Sequence, residues 1–196
     1  NLFYPRSHCP SCKQTIPIMN LLPIIGFLLN YGRCSLCNCK ISFNYPINEL
    51  IHLFVGLGIF YLHGISITLL FSYLIFTLLY ILFILDLKYL YLPLSLNILF
   101  VIIGLSSNIF FELFISYQSL YFHIDPITYS VSGFIIGFSS LWTVNAIYKI
   151  LKQKDGIGGG DFILFGGIGA VIGPFFLPLV LFLGSLSSLF LYVIFN

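Results

Sequence analysis

The chain has 196 residues, of which 59% are apolar and only 7% are Asp, Glu, Lys or Arg, and its mean hydropathy is +1.06. Soluble domains average about 45–50% apolar and about 25% charged, so this charge complement cannot cover a water-facing surface, and a soluble globule is excluded. Disorder, which needs low hydrophobicity and high charge, is excluded with it, and a net charge of +2 gives no reason to expect a nucleic-acid partner.

Residues 1–46 stand apart. They carry all five cysteines, four of the eight basic residues, and Pro and Asn in loop-like numbers. We expect them to form a small cytoplasmic loop domain, with 47–196 as a transmembrane domain. Asn1 is not an initiator Met and no signal-peptide pattern follows it, so a processed chain or a fragment is expected.

Beyond residue 46 the sequence is nearly continuous Leu, Ile, Phe, Val and Tyr. A spanning helix needs about 20 apolar residues, which predicts spans near 47–64, 67–85, 93–112, 126–148, 161–175 and 177–195. Only helices satisfy the backbone in lipid at such lengths, and the alternation of a membrane barrel is missing. The fold class is therefore an all-α polytopic membrane protein with about six transmembrane helices and membrane lipid as its surroundings. Arg6, Lys13, Arg33 and Lys40 precede the first span, Lys88 follows the second, and Lys149, Lys152 and Lys154 follow the fourth. The turns His63–Ser66 and Leu113–Asp125 contain no Lys or Arg. Basic residues on alternate loops obey the positive-inside rule and put the cysteine segment and the Lys88 and Lys152 loops in the cytoplasm.

Cys9-Pro-Ser-Cys12 and Cys34-Ser-Leu-Cys37 are two C-x-x-C knuckles. Such a pair can present four thiolates tetrahedrally to zinc, and a reducing cytoplasm disfavours disulfides. The expected ligands are Cys9, Cys12, Cys34 and Cys37, in a structural site that stabilises a segment too small to fold unaided. Cys39 is either a substitute for Cys37 or free, and His8 is a neighbour of the site.

Asp86 ends an apolar run and opens DLKYLYLP; Asp161 sits in GIGGGDFILFGGIGAVIG. A carboxylate at the edge of a membrane is costly and marks function by default. By the topology above both acids lie at cytoplasmic helix ends and can meet. Gly158, Gly159 and Gly160 strip side chains from the approach to Asp161, leaving room for a substrate backbone. Two neighbouring carboxyls do not both ionise easily, which supplies an acid and a base in one pair. That is the equipment of an aspartic peptidase: the ionised member activates water, and the protonated one polarises the scissile carbonyl. Taken singly, Asp161 reads as a helix cap and Asp86 as a loop residue paired with Lys88. Glu49, Glu112, Asp125 and Asp155 flank spans as interface residues. No phosphate loop, G-x-S-x-G or H-E-x-x-H motif occurs, and His52, His63 and His123 do not converge.

With these residues in view, the chain resembles the bifunctional type IV prepilin peptidase family. RSHCPSCKQTIP and LLPIIGFLLNYGRCSLCNCKISFNYPINELI resemble its cytoplasmic zinc-binding loop, DLKYLYLP its first catalytic-Asp motif, and GIGGGDFILFGGIGAVIGPFFLPLVLFLGSL its G-x-G-D motif and following helices. The resemblance implies an enzyme of the bacterial cytoplasmic (inner) membrane, with its active site facing the cytoplasm. It would remove the leader from type IV prepilins and pseudopilins of pili and type II secretion, then N-methylate the new terminus with S-adenosylmethionine, whose pocket the sequence does not locate. Asp86 and Asp161 carry over as the protease pair, and the Cys tetrad as the Zn2+ site. The sequence departs from the family at Leu94, where an acid is usual, and at Ile163, where Lys is usual. The family also leads one to expect a helix before the cysteine segment and another after 177–195, outside this sequence. Two other readings use the same acids differently: an ion- or proton-coupled transporter, which would hold them near the midplane, and a non-catalytic pilus or secretion assembly protein.

Overall fold

The computed structural model describes residues 7–114 and 123–195; Arg6 and positions 115–122 of the base-free turn lie outside the described residues. The chain divides into two compact units, Asn1–Ile65 and Ser66–Asn196.

In the first unit a 3-10 turn (Ile18–Leu21) and a short helix α1 (Ile25–Leu29) follow the first cysteine knuckle, and α2 (Asn44–His63) closes the unit. Gly64 stops α2 with a positive φ of 59°, which costs glycine no steric strain. The carboxylate of Glu49 on α2 accepts the Ile24 N–H at 2.7 Å. The Asn20 amide donates to Ser35 Oγ at 2.8 Å, joining the 3-10 turn to the second knuckle.

The second unit begins with α3 (Ile67–Tyr89) and α4 (Leu94–Ile109). Ser66 caps α3 by accepting the Leu69 N–H. Further along the chain come α5 (Pro126–Lys152), α6 (Gly159–Ile172) and α7 (Leu177–Phe195). Asp125 caps α5, accepting from Thr128 N–H at 2.9 Å and from its hydroxyl, with Pro126 in the first turn, where no N–H is needed. Three helices, α2, α3 and α5, are long and apolar enough to cross a membrane, whereas α4, α6 and α7 are shorter apolar helices. Their outward faces carry large apolar side chains, among them Phe54, Phe83, Ile102, Ile135 and Phe182, as a lipid-facing surface requires.

α6 packs most extensively on α5 and next on α4, while α3 packs on α4. The α5–α6 contact is backbone on backbone: a Cβ at Gly133 would collide with the Gly169 carbonyl, and one at Gly169 with that of Gly133. Close approach through small residues is how helices associate where no water drives them together. Leu78, Phe100 and Val171 form the core of α3, α4 and α6. At the far end of α6 the buried Asn108 amide donates to Ala170 O and Val171 O, at 3.0 and 2.8 Å, and the Tyr129 hydroxyl donates to Ile172 O. Those are carbonyls that a helix end leaves without internal partners, so polar side chains of α4 and α5 fasten α6 at one end and leave its N-terminus to face the other.

Candidate active site and cysteine cluster

The two knuckles are built alike. In the first, Lys13 N–H bonds to Cys9 O (2.8 Å), Cys9 N–H to Gln14 O (3.0 Å) and Ile16 N–H to Ser7 O (2.9 Å). In the second the same offsets recur: Asn38 to Cys34 O (2.9 Å), Cys34 to Cys39 O (2.9 Å) and Ile41 to Gly32 O (2.8 Å). Lys13 and Asn38 both take φ of 56°, which turns the chain back on itself. By this match Cys9 corresponds to Cys34, Cys12 to Cys37, and Gln14 to Cys39.

The turns aim backbone N–H groups at sulfur. The N–H groups of Cys12 and then Ser11 pull the Cys9 thiol down to about 6, and those of Leu36 and then Cys37 lower Cys34. Cys37 goes the other way: the Cys39 backbone N–H lowers it, but the surrounding Cys39, Cys12 and Cys34 thiols and desolvation push it up. All five cysteines are free. The sulfurs of Cys9, Cys34, Cys37 and Cys39 lie within 4.8 Å of one another and can hold a metal ion. Cys9 Sγ is 3.8 Å from that of Cys37 and 3.4 Å from that of Cys39. Tetrahedral zinc with Zn–S of about 2.3 Å needs sulfurs about 3.8 Å apart, so the spacing suits such an ion. Three of the four expected ligands thus share the group with Cys39; Cys12 adjoins Cys37 without belonging to it.

In the second unit, Asp86 lies inside the last turn of α3, which runs on to Tyr89 and ends where Leu90 turns left-handed (φ 50°). Asp86 is exposed and makes no ion pair with Lys88 among the described residues. Residues two apart on a helix do not face each other, which removes the loop-plus-ion-pair reading of this acid. Asp161 is the third residue of α6 and is half-buried. Read alone, Asp161 is expected to be the N-cap itself; instead Gly158 holds that position and Asp161, from the first turn, reaches back so that its Oδ2 accepts the Gly158 N–H at 3.0 Å. The cap and a chemical role are compatible, because the bond uses one carboxylate oxygen. The two acids, 75 positions apart in sequence, come to the same end of the helices: Asp86 stands in the last turn of α3, and the connection that follows that helix lies against the first turn of α6, which carries Asp161.

The glycines divide in their roles. A Cβ at Gly160 would lie 2.8 Å from Leu92 Cβ and 3.3 Å from Asn97 Nδ2, so this glycine lets the α3–α4 connection lie against the first turn of α6. At Gly159 nothing lies within 4 Å of where a Cβ would stand. Gly158, the residue before α6, supplies the N–H that Asp161 caps.

Two asparagines that gave no sequence motif hold the approach to Asp161, Asn145 gripping the loop before α6 and Asn97 its first turn. Asn145 of α5 accepts the Gly156 and Ile157 N–H groups at 2.8 and 3.0 Å and donates to Asp155 Oδ1 at 3.1 Å. Lys149 completes this corner with an ion pair to Asp155 at 3.1 Å. On the other side Asn97 of α4 donates to Gly160 O at 3.0 Å. The only signal either residue gave was a lone amide in an apolar run.

The bacterial peptidase A24 N-terminal domain matches residues 1–63 and the type IV leader peptidase family matches residues 73–193. Curated relatives agree. The prepilin leader peptidase/N-methyltransferase of Neisseria gonorrhoeae is 34% identical over 194 residues, covering 96% of this chain and 62% of the relative. Those of Legionella pneumophila (31% identical; 96% of this chain, 62% of the relative) and Klebsiella pneumoniae (35% identical; 94% and 76%) bear the same name. The chain thus spans about three fifths of the length of the Neisseria and Legionella proteins. No solved structure matches. The two family models between them cover most of the chain, and the matches to curated relatives agree with them. The chain belongs to the type IV leader peptidase family.

Proposed function

We propose that the protein is a membrane aspartic endopeptidase that removes the leader peptide from type IV prepilins or pseudopilins at the cytoplasmic face of the bacterial inner membrane. Asp86 and Asp161 are its catalytic pair. The observation that carries this reading is that the connection leaving the Asp86 helix lies against the start of α6, with Leu92 packed on Gly160 and Asn97 bonded to its carbonyl, which brings both acids to the same end of the helices. One ionised member takes a proton from the attacking water while the other, protonated, donates to the scissile carbonyl oxygen; the two roles exchange as the tetrahedral intermediate collapses and the leaving amine gains its proton. The open space at Gly159 gives an extended substrate a way to approach Asp161. The six-span topology with both acids on the cytoplasmic side is supported by the six apolar helices and by the distribution of Lys and Arg.

N-methylation of the new terminus with S-adenosylmethionine is supported by the relatives' names. For the first unit, a structural Zn2+ is held by Cys9, Cys34, Cys37 and a fourth thiolate. The matching knuckle geometry favours Cys12 in that place, and the sulfur distances favour Cys39. Bound, the ion would replace the thiol protons and staple the two knuckles together.

The test is leader removal from a purified prepilin by the detergent-solubilised protein. Asp86→Asn and Asp161→Asn should each abolish cleavage with their folds intact by thermal denaturation. Cleavage by either variant at the parent rate would refute the peptidase assignment.

A further inference from the structure

Asn97 is completely buried, and its Oδ1 has no hydrogen-bond partner among the described residues. Burying an unpaired carbonyl is costly, and an apolar side chain of similar volume would fill the same space without that cost. What the amide does instead is visible on its other side, where Nδ2 holds Gly160 O. A carbonyl oxygen has two lone pairs, so it can take this bond as well as one from within the helix.

The bond joins two particular elements. Asn97 stands in the first turn of α4, with its own N–H on Pro93 O at 3.1 Å. Only Leu90–Pro93 separate α4 from the helix that carries Asp86. Gly160, in turn, is the residue before Asp161. Leu92, in that same connection, packs against Gly160 from the side, its carbonyl oxygen 3.2 Å from where a Cβ would be. The chain around one acid therefore grips the chain around the other by one amide bond and one tight contact.

We propose that Asn97 is a positioning residue of the peptidase, holding the first turn of α6 so that Asp161 keeps its place beside Asp86. The inference rests on the catalytic pair proposed above. It does not require Asn97 to touch substrate.

The experiment measures kcat and KM for prepilin cleavage in the parent, in Asn97→Leu, which keeps the volume without the donor, and in Asn97→Ala, which removes the amide without adding bulk. Ser130→Ala serves as a control. Ser130 is equally buried and its hydroxyl is also without a partner among the described residues. It lies near the start of α5, whose Gly133 meets Gly169 well along α6 from Asp161. Both Asn97 variants should lose at least about tenfold in kcat, as small displacements of a catalytic group do, with KM within about twofold of the parent and melting in detergent still cooperative. Ser130→Ala should keep the parent kcat. Parent-like kcat in Asn97→Leu, or loss of the fold in both Asn97 variants, would overturn the proposal by leaving the amide a packing role alone. A parent that cleaves no prepilin would instead sink the peptidase reading on which it rests.

Discussion

Asp155 illustrates how single polar residues tune the loop that leads to Asp161. The Lys149 ammonium, and after it the Asn145 amide, hold its carboxyl below the usual carboxylate range. A folded-state value below the unfolded one means that the group adds stability above the unfolded value, and that this is lost as the pH falls through the folded one. Melting temperatures of the parent and of Asp155→Asn should therefore differ most near neutrality and converge in acid; a constant difference would contradict the contribution. Asp155 is solvent-exposed, so the effect should be small and should shrink with salt. The acids and cysteines could be read from the sequence because charge and thiol chemistry are conspicuous against an apolar background. Asn97 and Asn145 could not, because an amide in an apolar run looks the same whether it is idle or holds a loop. Cys39 was visible as a fifth thiol, but its place among the others depends on how the second knuckle folds.

Among the helices, hydropathy located the long segments well because a lipid-facing helix is apolar on every side, and each expected span overlaps an observed helix. The ends were harder. α3 runs past the expected 85 to Tyr89 because its stop is a left-handed Leu90 and not a glycine or proline signal. The 3-10 turn and α1 carry too few residues for a periodicity to be seen. The run of three glycines was read as one device for admitting substrate, yet the positions differ once Leu92 and Asn97 press on one of them. Gly160→Ala should move the first turn of α6 and lower both the melting temperature and cleavage. Gly159→Ala, with open space around it, should melt like the parent. Equal melting temperatures for the two variants would contradict this division.

For the molecule as a whole, the composition excluded water as its solvent, and the distribution of bases suggested which side the acids occupy. The pairing of knuckles belongs to this scale too, since it brings thiols from positions 9 and 39 to within 3.4 Å. Purified protein should contain about one zinc per chain, held by four thiolates. Ser substitution at Cys9, Cys34 or Cys37 should remove it. Of Cys12→Ser and Cys39→Ser, only one should do so, and metal analysis identifies the fourth ligand. Metal-free parent protein, or full retention in Cys34→Ser, would contradict the centre.

In the proposed mechanism Asp86 and Asp161 act as a unit. Initial rates of leader cleavage in Asp86→Asn, Asp161→Asn and the double variant test it most directly, because groups that work together are lost together. Each single variant should lose activity as completely as the double one. Losses that multiply from single to double, or one single variant that cleaves like the parent, would contradict it.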